Sequence, residues 1–333
     1  MDLLDIFGDA SRASIGTNAA IYALLAIGLN VHFGYAGLTN VGQVGFMMLG
    51  AYGAAIAVGT WGWSLWAGLL VSVLACVAFA LALGLPTLRL RTDYFAITTI
   101  AAAEILRFLV RARASTDLTG GPFGIQGVTG SFRDLNPYPA DWDIRWGNFG
   151  FTNEQLWVMT VAWLLVAACT GLVQFLMRSP WGRVVRGIRE DEDAVRSLGK
   201  NVVSYKMQAL ILGGVIGGFA GIIDLFDQGS VDPVGYRPQV TFFAYTALIM
   251  GGAATRFGPI IGAMLFWFLR QGVESMFRDL ALREWPPGWL SGFLDGREGL
   301  LATTLMGVAL VSLMIFRPQG LFGNREEMVL DAR

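Results

Sequence analysis

The chain has 333 residues, of which 54% are hydrophobic and only 15% are charged, and its mean hydropathy is +0.54. This composition excludes an ordinary soluble domain, and a formal net charge of −1 gives no overall attraction to nucleic acid. Cys76 and Cys169 both fall in apolar segments, so the sequence supports neither a disulfide framework nor a metal site.

A long stretch near the start of the sequence contains no acidic residue, lysine or arginine. From Ala13 to Leu88 there is no Asp, Glu, Lys or Arg. At about 20 residues per crossing, this stretch holds about three membrane passes. The N-terminal sequence MDLLDIFGDASR lacks a basic region, so we predict no cleaved signal peptide and expect the first hydrophobic segment to remain as a membrane span.

The whole pattern predicts an all-α integral membrane protein, a polytopic helical bundle of about nine transmembrane spans in a single domain over residues 1–333. The candidate spans are residues 14–33, 37–59, 64–85, 94–112, 155–177, 205–226, 239–254, 257–275 and 299–317. Glycines and prolines interrupt 37–59 and 239–275, which predicts one or two broken or re-entrant helices there. Backbone that faces lipid must still be hydrogen bonded within its helix.

Basic residues near the span ends predict the orientation. The densest cluster lies in residues 178–206, which the positive-inside tendency places in the cytoplasm. With nine spans, the N-terminus is then outside and the C-terminus inside. Arg89 and Arg91 agree with this orientation, whereas a basic group near the end of span 94–112 opposes it, namely Arg107, Arg111 and Arg113. The loop at about 113–154 and the stretch 276–298 face outward.

We call Arg178–Lys206 the polar segment. Pro180 is expected to end the preceding span, and Asp191 to cap a short helix near residues 191–198, with two further acidic residues in its first turn. Gly199 suits the left-handed position after that helix. A helix of about two turns does not persist alone in water, so it needs a surface to dock on. That surface is either a partner or the protein itself, in which case the helix is an amphipathic connector.

The stretch GRVVRGIREDEDAVRSLGKNVVSYKMQALILGGVIGGFAGII resembles the cytoplasmic-loop signature of the branched-chain amino acid family of ABC permeases. The matching residues are Gly182, Arg183, Arg186, Ile188, Arg189, Glu190, Glu192, Ala194, Leu198, Gly199 and Lys206. Gly187 and Val195 replace the commoner alanines. Four other stretches agree in order: GLNVHFGYAGLTNVGQVGFMMLGAY, LRLRTDYFAITTIAAAEILR, TGGPFGI and GGAATRFGPIIGA…FRPQGLFG. The chain is most similar to the LivM-like subunits, whose relatives also serve urea and short amides.

The resemblance implies a pore-forming permease of the bacterial or archaeal plasma membrane. Its expected partners are a second, homologous permease, two cytoplasmic ATPase subunits and an extracytoplasmic solute-binding protein. ATP and Mg would bind the ATPase subunits, and this chain would need no cofactor and catalyse no reaction itself. The coupling helix would comprise or adjoin Arg183, Arg186, Arg189, Glu190, Asp191, Glu192, Ala194, Leu198 and Gly199. Leucine, isoleucine and valine are the default substrates, with urea, amides and other amino acids left open.

Polar residues inside the apolar segments are the candidates for the substrate path. Gly34–Gly53 contains Asn40 and Gln43, and its glycines predict a discontinuous helix near the membrane midplane, where transporters place substrate groups. Tight helix packing is the alternative. The spacing does not fit a nucleotide-binding glycine loop. Glu104 and Asp224 complete the candidate path, because ionisable groups in a membrane are costly.

Some of these groups also have simpler structural explanations. Glu104 can pair with Arg107 three residues later on a helix. The lone His32 is more typical of a structural residue than of a proton carrier. Gly213, Gly217 and Gly221 recur every four residues, which predicts a face for close helix packing.

Two other classes of function compete with the ATP-driven permease. A secondary transporter or channel would work without an ATPase, but would be expected to carry inward-facing carboxylates or histidines for ion coupling, and this chain has few. A membrane-embedded enzyme would need a convergent catalytic set, and the sequence shows no metal-ligand spacing, nucleophile elbow or paired His/Asp motif.

Overall fold

The computed structural model describes residues 3–88, 92–139, 142–146, 149–282, 297–316 and 321. Its first seven α-helices are α1 (Leu3–Ile15), α2 (Thr17–Leu29), α3 (Gln43–Ala55), α4 (Leu65–Thr87), α5 (Thr92–Arg111), α6 (Thr116–Thr119) and α7 (Gly130–Arg133). The next seven are α8 (Asn153–Arg178), α9 (Pro180–Glu190), α10 (Glu192–Ser197), α11 (Val202–Gln228), α12 (Gln239–Gly251), α13 (Gly258–Leu282) and α14 (Glu298–Phe316).

Four short strands qualify the all-α prediction. They are β1 (Ile125–Gln126), β2 (Ile144–Trp146), β3 (Phe149–Phe151) and β4 (Ser230–Val231). β1 pairs with β4 and β2 pairs with β3, both antiparallel. The β1–β4 pair fastens the long stretch between α5 and α8 to the end of α11, so this stretch has structure of its own, as its length predicts.

Five helical segments in the described part of the chain are long and apolar enough to cross a membrane. They are Thr17–Tyr35, Gln43–Thr60, Leu65–Thr87, Asn153–Arg178 and Val202–Gln228. The other four predicted spans do form helices, which are α5, α12, α13 and α14, but they do not meet the same criteria. With 13 residues, α12 is about 20 Å long, shorter than the hydrocarbon core of a bilayer. The count of about nine spans therefore stays a prediction.

The two segments predicted to be broken both contain non-helical backbone. After α2 the chain makes a π-helical turn, Asn30–Tyr35, and is then non-helical over residues 37–42, which we call the first break. Residues 252–257, between α12 and α13, form the second break. Left-handed backbone marks both: φ is +66° at Gly37 and +110° at Gly252, and even Ala254 has φ of +60°. The glycines reach this region without strain.

The core forms around α11, which packs against α2, α3 and α4. Three of its glycines make this close approach possible. A Cβ at Gly213 would collide with the His32 imidazole, one at Gly217 with the Gln43 amide, and one at Gly221 with the Met47 carbonyl. This arrangement is the close packing that a four-residue spacing of small residues predicts.

The N-terminal helix α1 was not predicted. It ends at Ile15, directly before the N-cap Gly16 of α2, and packs against α13, with the rings of Phe7 and Phe268 5.7 Å apart. Trp163 of α8 donates its indole N–H to the Ile15 carbonyl at 2.7 Å, which satisfies one of the free carbonyls at the end of α1. An amphipathic helix that lies on other helices lacks the long apolar run by which spans are recognised.

Some predictions concern residues outside the described ranges. Arg89, Arg91 and the RPQG sequence at 317–320 lie outside the described residues, as does 283–296 within the stretch 276–298. The described beginning of that stretch continues α13 to Leu282.

Candidate functional site

A buried network of hydrogen-bonded polar side chains lies at the first break. His32, Asn40 and Gln43 are all 0% exposed. The Asn40 amide donates to His32 Nδ1 at 3.1 Å and to Gln43 Oε1 at 3.0 Å. At the two ends of this network, Gln43 donates to the Gly213 carbonyl at 3.0 Å and His32 Nε2 lies 3.1 Å from the Leu210 carbonyl. Because a carbonyl only accepts, Nε2 carries the proton, and because Nδ1 accepts from the Asn40 amide, the imidazole is neutral.

Side chains from two other helices satisfy the backbone of the break. The three bonds run from Val41 N–H to Thr99 Oγ1, from Val44 N–H to Thr241 Oγ1 and from the Tyr245 hydroxyl to the Asn40 carbonyl, each at 3.0 Å. Without such partners, each free backbone group inside a membrane would cost several kcal/mol, on the order of 2–7. The break is therefore held in one conformation by α5 and α12 as well as by α11.

Asn30 joins the two breaks. From the π-helical turn its side-chain amide donates to the Thr255 carbonyl at 3.0 Å, and its Oδ1 accepts from the Ala254 N–H at 2.7 Å. The Tyr35 hydroxyl also donates to the Thr255 carbonyl, at 3.3 Å. These bonds fix the left-handed conformation of Ala254, so the second break is tied to the helix that precedes the first.

Helix α9 embeds the first half of the polar segment in the protein. Its Gly182, Val185 and Ile188 are buried, and Arg186 donates to the Met177 carbonyl at 2.9 Å. Arg189 reaches further and donates to the Gly34 carbonyl at 2.6 Å, within the π-helical turn.

The stem of Arg189 also packs on the first break. A Cβ at Gly37 would lie 3.3 Å from Arg189 Cγ. The polar segment therefore touches the broken helix directly, and Gly37 leaves the room for this contact.

Helix α10, in contrast, has no buried residue. Asp191 caps it by accepting from the N–H groups of Asp193 and Ala194 at 2.9 Å, and Gly199 follows it with φ of +76°, both as predicted. The Leu198 side chain is 79% exposed. Ala194 is exposed as well.

Ion pairs connect α10 to itself and to α11. Arg196 contacts Glu192 at 2.8 Å and Asp193 at 2.7 Å. Glu192 also pairs with Lys206 in the first turns of α11. The two other predicted coupling residues, Arg183 and Glu190, are exposed on α9.

Glu104 and Asp224, the two carboxylates predicted in the substrate path, bond to partners other than Asn40 and Gln43. On α5, Glu104 receives two bonds from Arg107, at 3.0 and 2.7 Å. On α11, Asp224 accepts from Gln228 at 2.7 Å and from the Tyr236 hydroxyl at 3.0 Å. Burial, reinforced by the nearby Asp224 carboxylate, raises the pKa of Tyr236 well above 10, so this phenol stays protonated and donates. The structure thus brings Asn40 and Gln43 together and gives Glu104 and Asp224 separate partners.

Sequence reasoning missed several residues that support this site. Thr99, Thr241 and Tyr245 bond the first break, and Asn30 links the two breaks. A polar side chain within an apolar helix was the available signal for each of them, because such groups are buried only with hydrogen-bond partners.

Comparisons with known proteins assign this chain to a family. The family described as "Branched-chain amino acid transport system / permease component" matches residues 11–296. The high-affinity branched-chain amino acid transport system permease protein LivM of Salmonella typhimurium is 32% identical over 93% of this chain and 70% of its own length. LivM of Escherichia coli K12 is 32% identical over 92% and 69%.

Two further matches are more distant. A probable LivM of Methanocaldococcus jannaschii is 23% identical over 92% of this chain and 91% of its own length. A solved metal-chelate type ABC transporter in an inward-facing conformation matches with a TM-score of 0.45 at 17% identity, over 90% of this chain and 85% of that one, which is too weak a likeness to support an argument. The extent of the family match and the identity to LivM show that this chain belongs to the family of branched-chain amino acid transport system permease components.

Proposed function

We propose that this chain is the pore-forming permease subunit of an ATP-driven ABC importer for branched-chain amino acids or related small polar solutes. Family membership and the transport function of the LivM relatives support the transport class and the solute class. The observation that carries the proposal is the polar segment, which presents an exposed helix on one side and contacts the broken helix on the other.

In this proposal α10 is the coupling helix, and it docks on a cytoplasmic ATPase subunit. An exposed leucine on a short, capped helix offers an apolar anchor for a groove, and Leu198 is such a residue. ATP and Mg bind the ATPase subunits, and this chain supplies no catalytic group.

Two contacts would pass the movement of α10 into the membrane. The Glu192–Lys206 ion pair connects α10 to α11. On the neighbouring α9, Arg189 connects the polar segment to the Gly34 carbonyl. Both lead to the same buried network, because α11 provides the carbonyls of Leu210 and Gly213 to which His32 and Gln43 bond.

The network of His32, Asn40 and Gln43 then keeps the substrate path closed. All the polar groups that could meet a solute here are bonded to one another, so the path opens only when these bonds exchange partners. Asn40 and Gln43 are the residues expected to meet the solute. Glu104 and Asp224 are assigned to the same path at its α5 and α11 walls, where their bonds to Arg107 and Tyr236 set their orientation.

The proposal places the chain in the plasma membrane of a bacterium or archaeon, with about nine spans, the polar segment inside and the stretch 113–154 outside. A second, homologous permease would complete the pore, and an extracytoplasmic solute-binding protein would deliver the solute. Large apolar side chains remain exposed on α4 and α5 for contact with lipid or with the second permease, among them Trp66, Leu70, Leu74, Ile105 and Phe108.

The direct test is uptake of radiolabelled leucine into proteoliposomes that contain this chain with its three kinds of partner subunit. We expect uptake only with internal ATP and external binding protein. The matched control contains the same partners with the Leu198→Asp variant, and should take up no more than empty vesicles. Uptake driven by an ion gradient without ATP would replace the proposal by a secondary transporter.

A further inference from the structure

Three of the cavities in the described part of the molecule differ in charge. The largest of these three, about 350 Å³, has Asp9 and Asp227 on its wall together with Arg12 and Arg278. A second, about 190 Å³, has both acidic and basic residues as well. The third, also about 190 Å³, is different. Its described lining includes three arginines and no Asp or Glu, and we call it the arginine cavity.

The three arginines of this cavity are Arg178, Arg186 and Arg256. Among the described residues, no carboxylate lies within 4.0 Å of any of them. Other arginines of the chain do have such partners: Arg107, Arg133, Arg196, Arg270 and Arg278. Three guanidinium groups that have no carboxylate partner among the described residues surround one small cavity and repel one another, and an anion between them would remove that repulsion.

Two of the arginines are fixed by the surrounding structure. Arg186 is held by its bond to the Met177 carbonyl at 2.9 Å. Arg256 belongs to the second break, whose backbone Asn30 holds through Ala254 and Thr255, and its guanidinium lies 4.9 Å from the Phe257 ring. These two cationic groups are thus oriented before any ligand arrives, which lowers the entropy cost of binding.

The cavity also has an apolar side. Ile27, Val173, Met177 and Pro259 line it beside the arginines. It lies where α8 ends and α9 begins, next to the π-helical turn, which is the end of the helical bundle where the polar segment emerges. A wall that is cationic on one side and apolar on the other, at the level where spans leave the membrane, matches a phosphate that carries acyl chains.

We propose that the arginine cavity binds the phosphate group of an anionic phospholipid of the adjacent leaflet. Guanidinium groups bind phosphate oxygens through paired, charge-assisted hydrogen bonds, and basic pockets between transmembrane helices bind lipid headgroups. The assignment is independent of the solute that the protein carries. A free phosphate ion offers the same chemistry, and the lipid is favoured because the apolar wall would have no use with the ion.

The bound lipid would stabilise the contacts around both breaks. Arg186 lies one turn before Arg189, which bonds the Gly34 carbonyl, and Asn30 lines the cavity while holding the second break. An anion there is expected to fix α9 against the broken helix, so we expect anionic lipid to raise the thermal stability of the assembled protein.

The test is lipid retention by the assembled transporter in nanodiscs of phosphatidylcholine with and without phosphatidylglycerol, read by native mass spectrometry. Arg178→Gln with Arg256→Gln should weaken phosphatidylglycerol binding by about 30-fold, since each basic residue contributes about a factor of five. Arg183→Gln with Lys200→Gln is the matched control, because it removes the same amount of charge at exposed positions of the polar segment that do not line the cavity. It should retain phosphatidylglycerol as the wild type does.

Two further arms make the outcome decisive. Inorganic phosphate, titrated against wild type in phosphatidylcholine nanodiscs, should neither raise the thermal midpoint nor displace phosphatidylglycerol at millimolar concentration. If it does both, the source is the free ion and the lipid assignment is wrong. Where the Gln variant does not assemble, Arg178→Lys with Arg256→Lys keeps the charge but loses the paired geometry, and weaker binding is again expected. Equal phosphatidylglycerol retention by wild type, cavity variants and control would overturn the proposal.

Discussion

Helices α9 and α10 follow one another in a single polar segment and are held in different ways. α9 buries Gly182, Val185 and Ile188 and bonds the protein through Arg186 and Arg189. α10 buries nothing and is held by its own cap and by ion pairs. Helix α9 is therefore packed against the protein, whereas α10 is exposed on its surface.

The sequence shows the physical origin of this difference. Pro180 begins α9 at a position where a missing N–H costs nothing, directly after α8 ends, so α9 folds back against α8. The close approach requires Gly182, whose Cβ would collide with the Met177 backbone. Asp191 then has extended backbone, with φ of −153°, and turns the chain away into α10. In the proposed function, α10 would receive force from the ATPase subunit and α9 would transmit it.

The largest effect is expected at the exposed anchor of α10. Leu198→Asp should abolish binding of the ATPase subunit, because a carboxylate would be buried without a partner in an apolar groove. The variant should remain folded, since the side chain is 79% exposed in this chain alone. Co-purification of the ATPase subunit measures this, and Leu198→Ala should give an intermediate loss. Full recovery of the complex with Leu198→Asp would show that α10 is not the docking helix.

A large effect on stability is expected on the anchored side. Gly182→Ala should lower the free energy of unfolding by about 1–3 kcal/mol, as overpacking does, because its new Cβ meets backbone atoms that cannot move aside. Gly187→Ala on the same helix is the control, since its Cβ would only meet a Val195 methyl at 3.2 Å. Thermal unfolding in detergent compares the two. Equal midpoints would mean that α9 is not closely packed on α8.

A moderate effect is expected at the cap. Asp191→Ala should cost α10 about 1 kcal/mol, because two N–H groups lose their acceptor. Asp191→Asn is expected to be nearly neutral, as asparagine caps equally well. Hydrogen exchange of the α10 amides measures the change, which should be about fivefold faster with Ala and unchanged with Asn. The same rates in all three proteins would contradict the capping role.

The smallest effect is expected at the ion pair between Glu192 and Lys206. Their side chains are 35% and 14% exposed, so solvent screens the pair and Lys206→Gln should cost at most about 1 kcal/mol of stability. A Glu192→Gln partner variant completes a double-mutant cycle on thermal unfolding. A coupling energy well above that range would assign the pair a structural role like that of α9.

Local signals explain what the sequence could predict. Asp191 and Gly199 mark the ends of α10, and glycines beside Asn40 mark the first break, because each depends on neighbouring residues only. The Glu104–Arg107 pair follows from helical spacing in the same way.

What the sequence could not predict depends on contacts between distant residues. Nothing near Tyr245 shows that it bonds the Asn40 carbonyl, and nothing near Arg189 shows that it reaches Gly34. Helix α9 was overlooked because its arginines and glycines are typical of a loop, and only its position against α8 reveals the buried face. The predicted count of about nine spans is not confirmed, because it includes residues 239–254, where α12 is too short to cross a bilayer alone.

The central claim is that Arg189 carries the movement of the polar segment to the broken helix. The most direct measurement is the amount of solute imported per ATP hydrolysed by the reconstituted transporter carrying Arg189→Gln, with Lys200→Gln as the control at an exposed cation of the same polar segment. A hydrogen bond to a charged group is worth about 1.5–3 kcal/mol, so its loss should lower this ratio by about tenfold or more while ATP hydrolysis continues. The control should match the wild type. An unchanged ratio in Arg189→Gln would contradict the account.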